Sequence, residues 1–294
     1  MGVSGDTTYN AGERRFKLVP RIVAPARVGT NAIGKSMTAI SAGRRPEVVE
    51  DSAGAPSEFF GSLLSSTELP VRTVLQRGPK GKKAVAFAID WPGWSRGAKT
   101  PAEALATLDS YRRRYRPVAL AAGMGDEFDA AGPLEVIQEQ VGTGSTDFWG
   151  ISFSPSDTEQ DPMSDTEFDR KINLLRACWA LFDMVAVRVS PDMRKGPRGG
   201  GRDRDTIISH TIRTESENFA KRVGLRTPEG GALTPDGLVA HREAYVAAMR
   251  AYNRGEGKRM RSWTLPFLIR HSAFHVMDHA WEMEDKDIPG EAQA

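Results

Sequence analysis

His271-Ser272-Ala273-Phe274-His275-Val276-Met277-Asp278-His279-Ala280-Trp281-Glu282 places three histidines at four-residue intervals. On an α-helix such positions share one narrow stripe, since each residue turns the helix by about 100°. Asp278 and Glu282 lie beside the stripe, and Phe274, Val276, Met277, Ala280 and Trp281 fill the rest of the helix. Two imidazoles four residues apart hold their Cβ atoms about 5–6 Å from each other, close enough to chelate one ion. A third ligand must then come from a neighbouring helix. The chain has five histidines, and His210 on the second predicted helix is available for that role.

Working outward, the stretch belongs to the last of four predicted helices. This last helix begins near Leu265-Pro266 and ends around Asp285. The first begins at Ser164, with Glu167 three residues on as in a capping box. Its apolar seam is Phe168, Ile172, Leu175, Trp179, Phe182, Ala186 and Val189. The second runs from about Asp205 to Val223, and the third from Thr234-Pro235 to Tyr252, ending near Gly255. Four such helices with no strand between them predict an antiparallel four-helix bundle over residues 160–286. On a helical wheel Glu215 occupies the middle of the second helix's apolar face and His210 its edge. Glu215 is therefore a candidate ligand or outer partner.

Upstream, Val71-Arg72-Thr73-Val74-Leu75, the turn Gly78-Pro79-Lys80-Gly81 and Ala84–Ile89 read as a hairpin. Thr100-Pro101-Ala102-Glu103 opens a helix reaching about Tyr115. Leu134–Val141 reads as another strand, so residues 67–154 form a small α+β domain, followed by a polar linker at 155–163. Residues 1–66 are rich in Gly, Ala, Ser, Pro and Arg without periodicity and read as a disordered extension. The fold class expected is α+β.

Composition narrows the function. The formal net charge is +2, from 40 basic and 38 acidic residues, which argues against a dedicated nucleic-acid coat. No apolar run is long enough to span a bilayer. The single cysteine, Cys178, excludes an intramolecular disulfide and makes a reducing cytoplasm the simplest location. Beside Trp179 it reads as a buried, inert thiol. Gly29–Ser36 fits the Walker A pattern, but the flanking residues Pro25, Arg27 and Ala39–Pro46 do not supply the strand and helix that phosphate binding needs. The loop at 194–205 precedes the second helix; its Arg198, Arg202 and Arg204 can bind an anionic substrate or cofactor. In the alternative they pair with Asp203, Asp205 or solvent.

Ile207-Ile208-Ser209-His210 with Glu215, and His275-Val276-Met277-Asp278-His279, resemble the second-helix and last-helix motifs of the DinB-like superfamily. The resemblance covers about residues 164–286. It implies a four-helix bundle with His210, His275 and His279 as ligands of a divalent ion, zinc or similar. The superfamily includes thiol-dependent transferases and mycothiol-dependent maleylpyruvate isomerases, which implies a low-molecular-weight thiol and a small electrophilic substrate. Members often pair as homodimers. Where those proteins often carry an Arg-Gly-Gln-like sequence after the last histidine, this chain has Ala280-Trp281-Glu282, and His271 offers a competing pair with His275. The run Lys195–Asp205, together with His275–Glu282, is similar to an uncharacterised bacterial DinB-like group, which brings no reaction with it. Asp90-Trp91-Pro92-Gly93-Trp94-Ser95-Arg96-Gly97 and Thr100–Leu108 resemble the strand–loop–helix of HicB-like domains, which in antitoxins cover a ribonuclease. Here no DNA-binding helix-turn-helix follows, and Trp91 and Trp94 are expected to pack the two domains together. The first expectation is thus a metal-dependent transferase or isomerase, with Glu215 or Glu282 orienting a ligand histidine or moving a proton. The second is a non-catalytic, metal-stabilised protein with a HicB-like interaction module.

Overall fold

The computed structural model describes residues 69–196, 201–257 and 259–288. The expected extension at 1–66, the Gly29–Ser36 pattern and Arg198 lie outside them. The described residues form a mixed α+β structure of eight α-helices and one four-stranded sheet. Among them, no helix is long and apolar enough to cross a membrane.

The predicted hairpin is present. Strands β1 (Val71–Arg77) and β2 (Ala84–Ala88) pair antiparallel from Thr73↔Ala88 to Arg77↔Ala84 around the Gly78–Gly81 turn. Strand β3 (Ser95–Ala98) adds to β2, and β4 (Leu134–Val141) pairs parallel to β1, giving the order β3-β2-β1-β4. Strand β3 is not legible from its residues, because Ser-Arg-Gly-Ala has weak strand preference. The Trp91–Trp94 turn and the backbone of β2 hold it in place. The helix predicted from Thr100 is divided at Tyr111 into α1 (Pro101–Ser110) and α2 (Arg112–Ala121). Both halves of the Thr100–Glu103 capping box form. Two short helices, α3 (Gly125–Asp129) and α4 (Gly144–Trp149), flank β4.

Strands β1 and β2 are covered on both faces, whereas the edge strand β4 is largely exposed. Val71 and Leu75 join the main core, whereas Val74, Phe87 and Ile89 form a second cluster. The segment expected to be a polar linker lies near this second face: Pro155 O accepts from Gln140, which pairs with Gln76 in register, and a 3₁₀ turn at Asp157–Glu159 buries Glu159.

Four long helical stretches follow: α5 (Asp165–Arg188), α6 (Arg204–Thr214), α7 (Pro235–Asn253) and α8 (Leu265–Lys286). Each opens on a side-chain cap, in order Ser164, Asp203, Thr234 and Thr264. Every residue of the predicted α5 seam is buried. Helix α8 packs along α5 and touches α6 and α7. The second helix departs from the expected uniform run. After Thr214 the chain widens into a π-turn at Glu215–Phe219, tightens to a 3₁₀ turn at Ala220–Val223, and stops at Gly224, whose φ is +83°.

The sheet unit and the long helices share one apolar core. Trp91 and Trp94 cluster with Tyr115 and Phe128. Pro92 O accepts from the Tyr115 hydroxyl at 2.8 Å and from the Cys178 thiol at 3.7 Å. Gly93 adopts φ +99° and lies against both α5 and α8. A Cβ there would stand 3.0 Å from Cys178 Sγ and 3.1 Å from Met277 Cγ. This close approach explains the Pro-Gly turn in sequence terms. It sets one side of α8 against the sheet unit, with Arg96 paired to Asp278 at 2.7 Å.

Candidate metal centre

Helix α8 supplies two of the three predicted ligands and α6 the third. The side-chain nitrogens of His210, His275 and His279 lie within 4.8 Å of one another. Their ring centroids are 5.4 Å (His210–His275), 5.1 Å (His210–His279) and 4.7 Å (His275–His279) apart. Three nitrogens bound at about 2.0–2.1 Å to a tetrahedral zinc stand about 3.4 Å from each other, somewhat closer than the 4.8 Å that bounds this set. The site is graded in exposure: His279 is buried, His275 half-buried and His210 exposed.

Two of these rings, His275 and His210, are held toward the neutral form. Burial, then the neighbouring His279, His271, His210 and Arg202, pushes His275 well below the usual histidine range. Burial and the charges of His279 and Arg202 likewise lower His210, against a smaller pull from Glu282. Neutral imidazoles present lone pairs, which a metal requires. Among the described residues, His275 Nδ1 is also buried without a hydrogen-bond partner.

Glu282 stands behind the site. Its Oε2 accepts from His279 Nδ1 at 2.7 Å. A carboxylate only accepts, so Nδ1 carries the proton and Nε2 is left as the donor to an ion. The same Oε2 accepts from Arg202 at 2.9 Å, and Oε1 from Lys286 at 2.6 Å. Burial raises the Glu282 carboxyl, but these hydrogen bonds and charges outweigh it and hold the group at about 2. The sequence signal for the Lys286 contact is the i,i+4 Glu–Lys spacing.

The other candidates are placed elsewhere. Glu215 is not brought within ligand distance of the three histidines. It is buried at the π-turn, accepts from Trp179 Nε1 at 2.6 Å, and has Oε1 3.6 Å from His241 Nε2. His241 Nδ1 in turn meets the Thr227 hydroxyl at 2.8 Å. The helical wheel placed Glu215 in the core correctly, but its carboxylate is held within α5, α6 and α7, so the expected catalytic role has no geometric support. Arg204 pairs with Asp205 and donates to Val189 O, whereas Arg202 reaches Glu282 behind the histidine group.

His271 does not join the set. Phe153, Phe219, Trp263 and Phe267 surround its ring at centroid distances of 4.8–5.2 Å. Burial, then the Arg270 charge, drives it down to about 3. The folded state therefore binds fewer protons than an unfolded chain, in which the group titrates near 6.5. Stability from this residue is intact above pH 6.5 and falls as pH drops toward 3. Between pH 7 and pH 5 the loss is about 2 kcal/mol. Urea unfolding of His271→Phe at both pH values should show a pH difference smaller by that amount. An unchanged difference would mean that the ring is protonated within the fold.

No family model, curated protein or solved structure matches the chain.

Proposed function

We propose that the chain is a metal-dependent enzyme of the DinB-like type, a transferase or isomerase that uses a low-molecular-weight thiol against a small electrophile. In this reading α5–α8 are an antiparallel four-helix bundle, and His210, His275 and His279 hold one divalent ion, zinc or similar. The observation that carries it is a set of three converging histidines, two on α8 and one on α6, with its outermost member exposed. Three protein ligands leave a coordination position open, as catalytic zinc sites do and closed structural sites do not. The ion, when bound, supplies a Lewis acid that ionises a thiol or water. The chain's own residues do the rest. Glu282 fixes the His279 tautomer and directs Nε2 inward, while α8, clasped by the Pro92–Gly93 turn, keeps the His275–His279 pair rigid.

A second reading, a metal-stabilised interaction protein, draws on a different surface. In the HicB-like unit Phe148, Trp149 and Val141 are 67%, 64% and 69% exposed at one end of the sheet. Such apolar exposure marks a contact surface.

Loading with Co(II) separates the readings. The enzyme reading expects one ion per chain and visible d–d bands that shift when a small thiol is added. Bands indifferent to thiols at millimolar concentration favour the second reading, and a protein that takes up no ion refutes both.

A further inference from the structure

Arg202 reads, from the sequence, as a counter-charge for an anionic ligand. Its position says otherwise. Its guanidinium donates to Glu282 Oε2, the same oxygen that accepts from His279 Nδ1. Lys286 occupies the other oxygen. The stem of the loop is tied to the same end of α8: Arg194 N donates to Lys286 O at 2.8 Å, and Ser190 N to Asp287 Oδ1 at 2.8 Å. Arg202 thus closes a charged chain that runs from the loop through Glu282 to a candidate ligand.

We infer that Arg202 is a positioning residue for the metal centre, acting through Glu282 to restrain how strongly His279 donates to the ion. The inference rests on the metal reading above. A carboxylate that accepts from the outer nitrogen of a ligand imidazole draws its proton outward, which makes the inner nitrogen a better donor and tightens metal binding. A cation on the same oxygen withdraws that charge. With Arg202 and Lys286 both in place, Glu282 orients His279 without lending it full basicity. The ion is then held less tightly but stays more electron-poor, which suits it to polarise a fourth ligand.

The test is zinc affinity, measured by competition with a chromophoric chelator on the full chain, with the apo-protein melting temperature as a folding control. Glu282→Gln should weaken zinc about 10–100-fold, the usual effect of losing a partner of this kind. Arg202→Met should tighten zinc several-fold, and Arg202→Lys should restore the wild-type value. In the Glu282→Gln background, Arg202→Met should change nothing, because the intermediary is gone. If Arg202 only anchors the loop, Arg202→Met weakens binding or leaves it unaltered, and the inference fails. Tightening that persists without the carboxylate shows direct repulsion between Arg202 and the ion, which also overturns it. A wild-type chain that binds no zinc removes the metal reading itself, a result distinct from either failure.

Discussion

His279→Ala is expected to lower zinc affinity by more than about 100-fold, beyond the range for losing an outer partner such as Glu282. His279 is the ligand with the most support around it. It is buried, its outer nitrogen is committed to Glu282, and its ring stands 4.7 Å from that of His275 on the same helix. Removing it breaks the i,i+4 chelate, leaving His275 and His210 on separate helices, which form a weaker pair because their approach is not fixed by one backbone. His271→Phe is the matched control and should leave zinc affinity within about threefold of wild type, because that ring sits in an aromatic surround outside the set. Isothermal titration of both apo-proteins with zinc reads the contrast. Equal affinity in His279→Ala and wild type would place the ion elsewhere. A loss in His271→Phe as large as in His279→Ala would move the ligand pair to His271 and His275.

The contrast also shows what the sequence could carry. His275 and His279 were legible because helical periodicity alone fixes their separation, and α8 has the predicted start and length. His210 was harder, since the wheel puts it at the edge of the second helix's apolar face, and its ring is the exposed member of the set. Wheel position says how deep a side chain lies, not which partner its polar end meets, and Glu215 is the example. The hairpin and β4 follow from local pattern, but β3 depends on its neighbour strand. Among the loop arginines, sequence could not separate Arg202 from Arg204, because two residues decide whether a guanidinium meets Glu282 or turns back on Asp205.

Least legible was the pair that fastens the supposed linker to α8. Glu159→Ala is expected to cost about 3–5 kcal/mol of folding stability, the usual penalty for breaking a buried ion pair from one side. Arg270 Nε donates to Glu159 Oε1 at 2.6 Å and Nη2 to Oε2 at 3.0 Å, with both side chains at most 3% exposed. Each residue alone reads as a charge facing solvent, and 111 positions separate them. The carboxylate is further held by the amide and hydroxyl of Ser156, while the guanidinium lies 3.7 Å over the Phe87 ring. With Glu159 gone, Arg270 keeps only the Ser152 hydroxyl and two aromatic faces, which do not replace a counter-charge. The double variant Glu159→Leu/Arg270→Met should recover most of the loss, since a buried pair pays for its attraction with desolvation and an apolar pair does not. Urea unfolding measures both, with an unchanged m-value showing that the same surface is exposed. A cost below about 1 kcal/mol for Glu159→Ala would mean that water reaches Arg270. Arg270 lies five residues before His275, about 140° around α8, so the pair fixes that helix from the side turned away from the histidines. Zinc affinity measured well below the unfolding midpoint should therefore survive in the double variant, where the packing is kept and only the charges are removed.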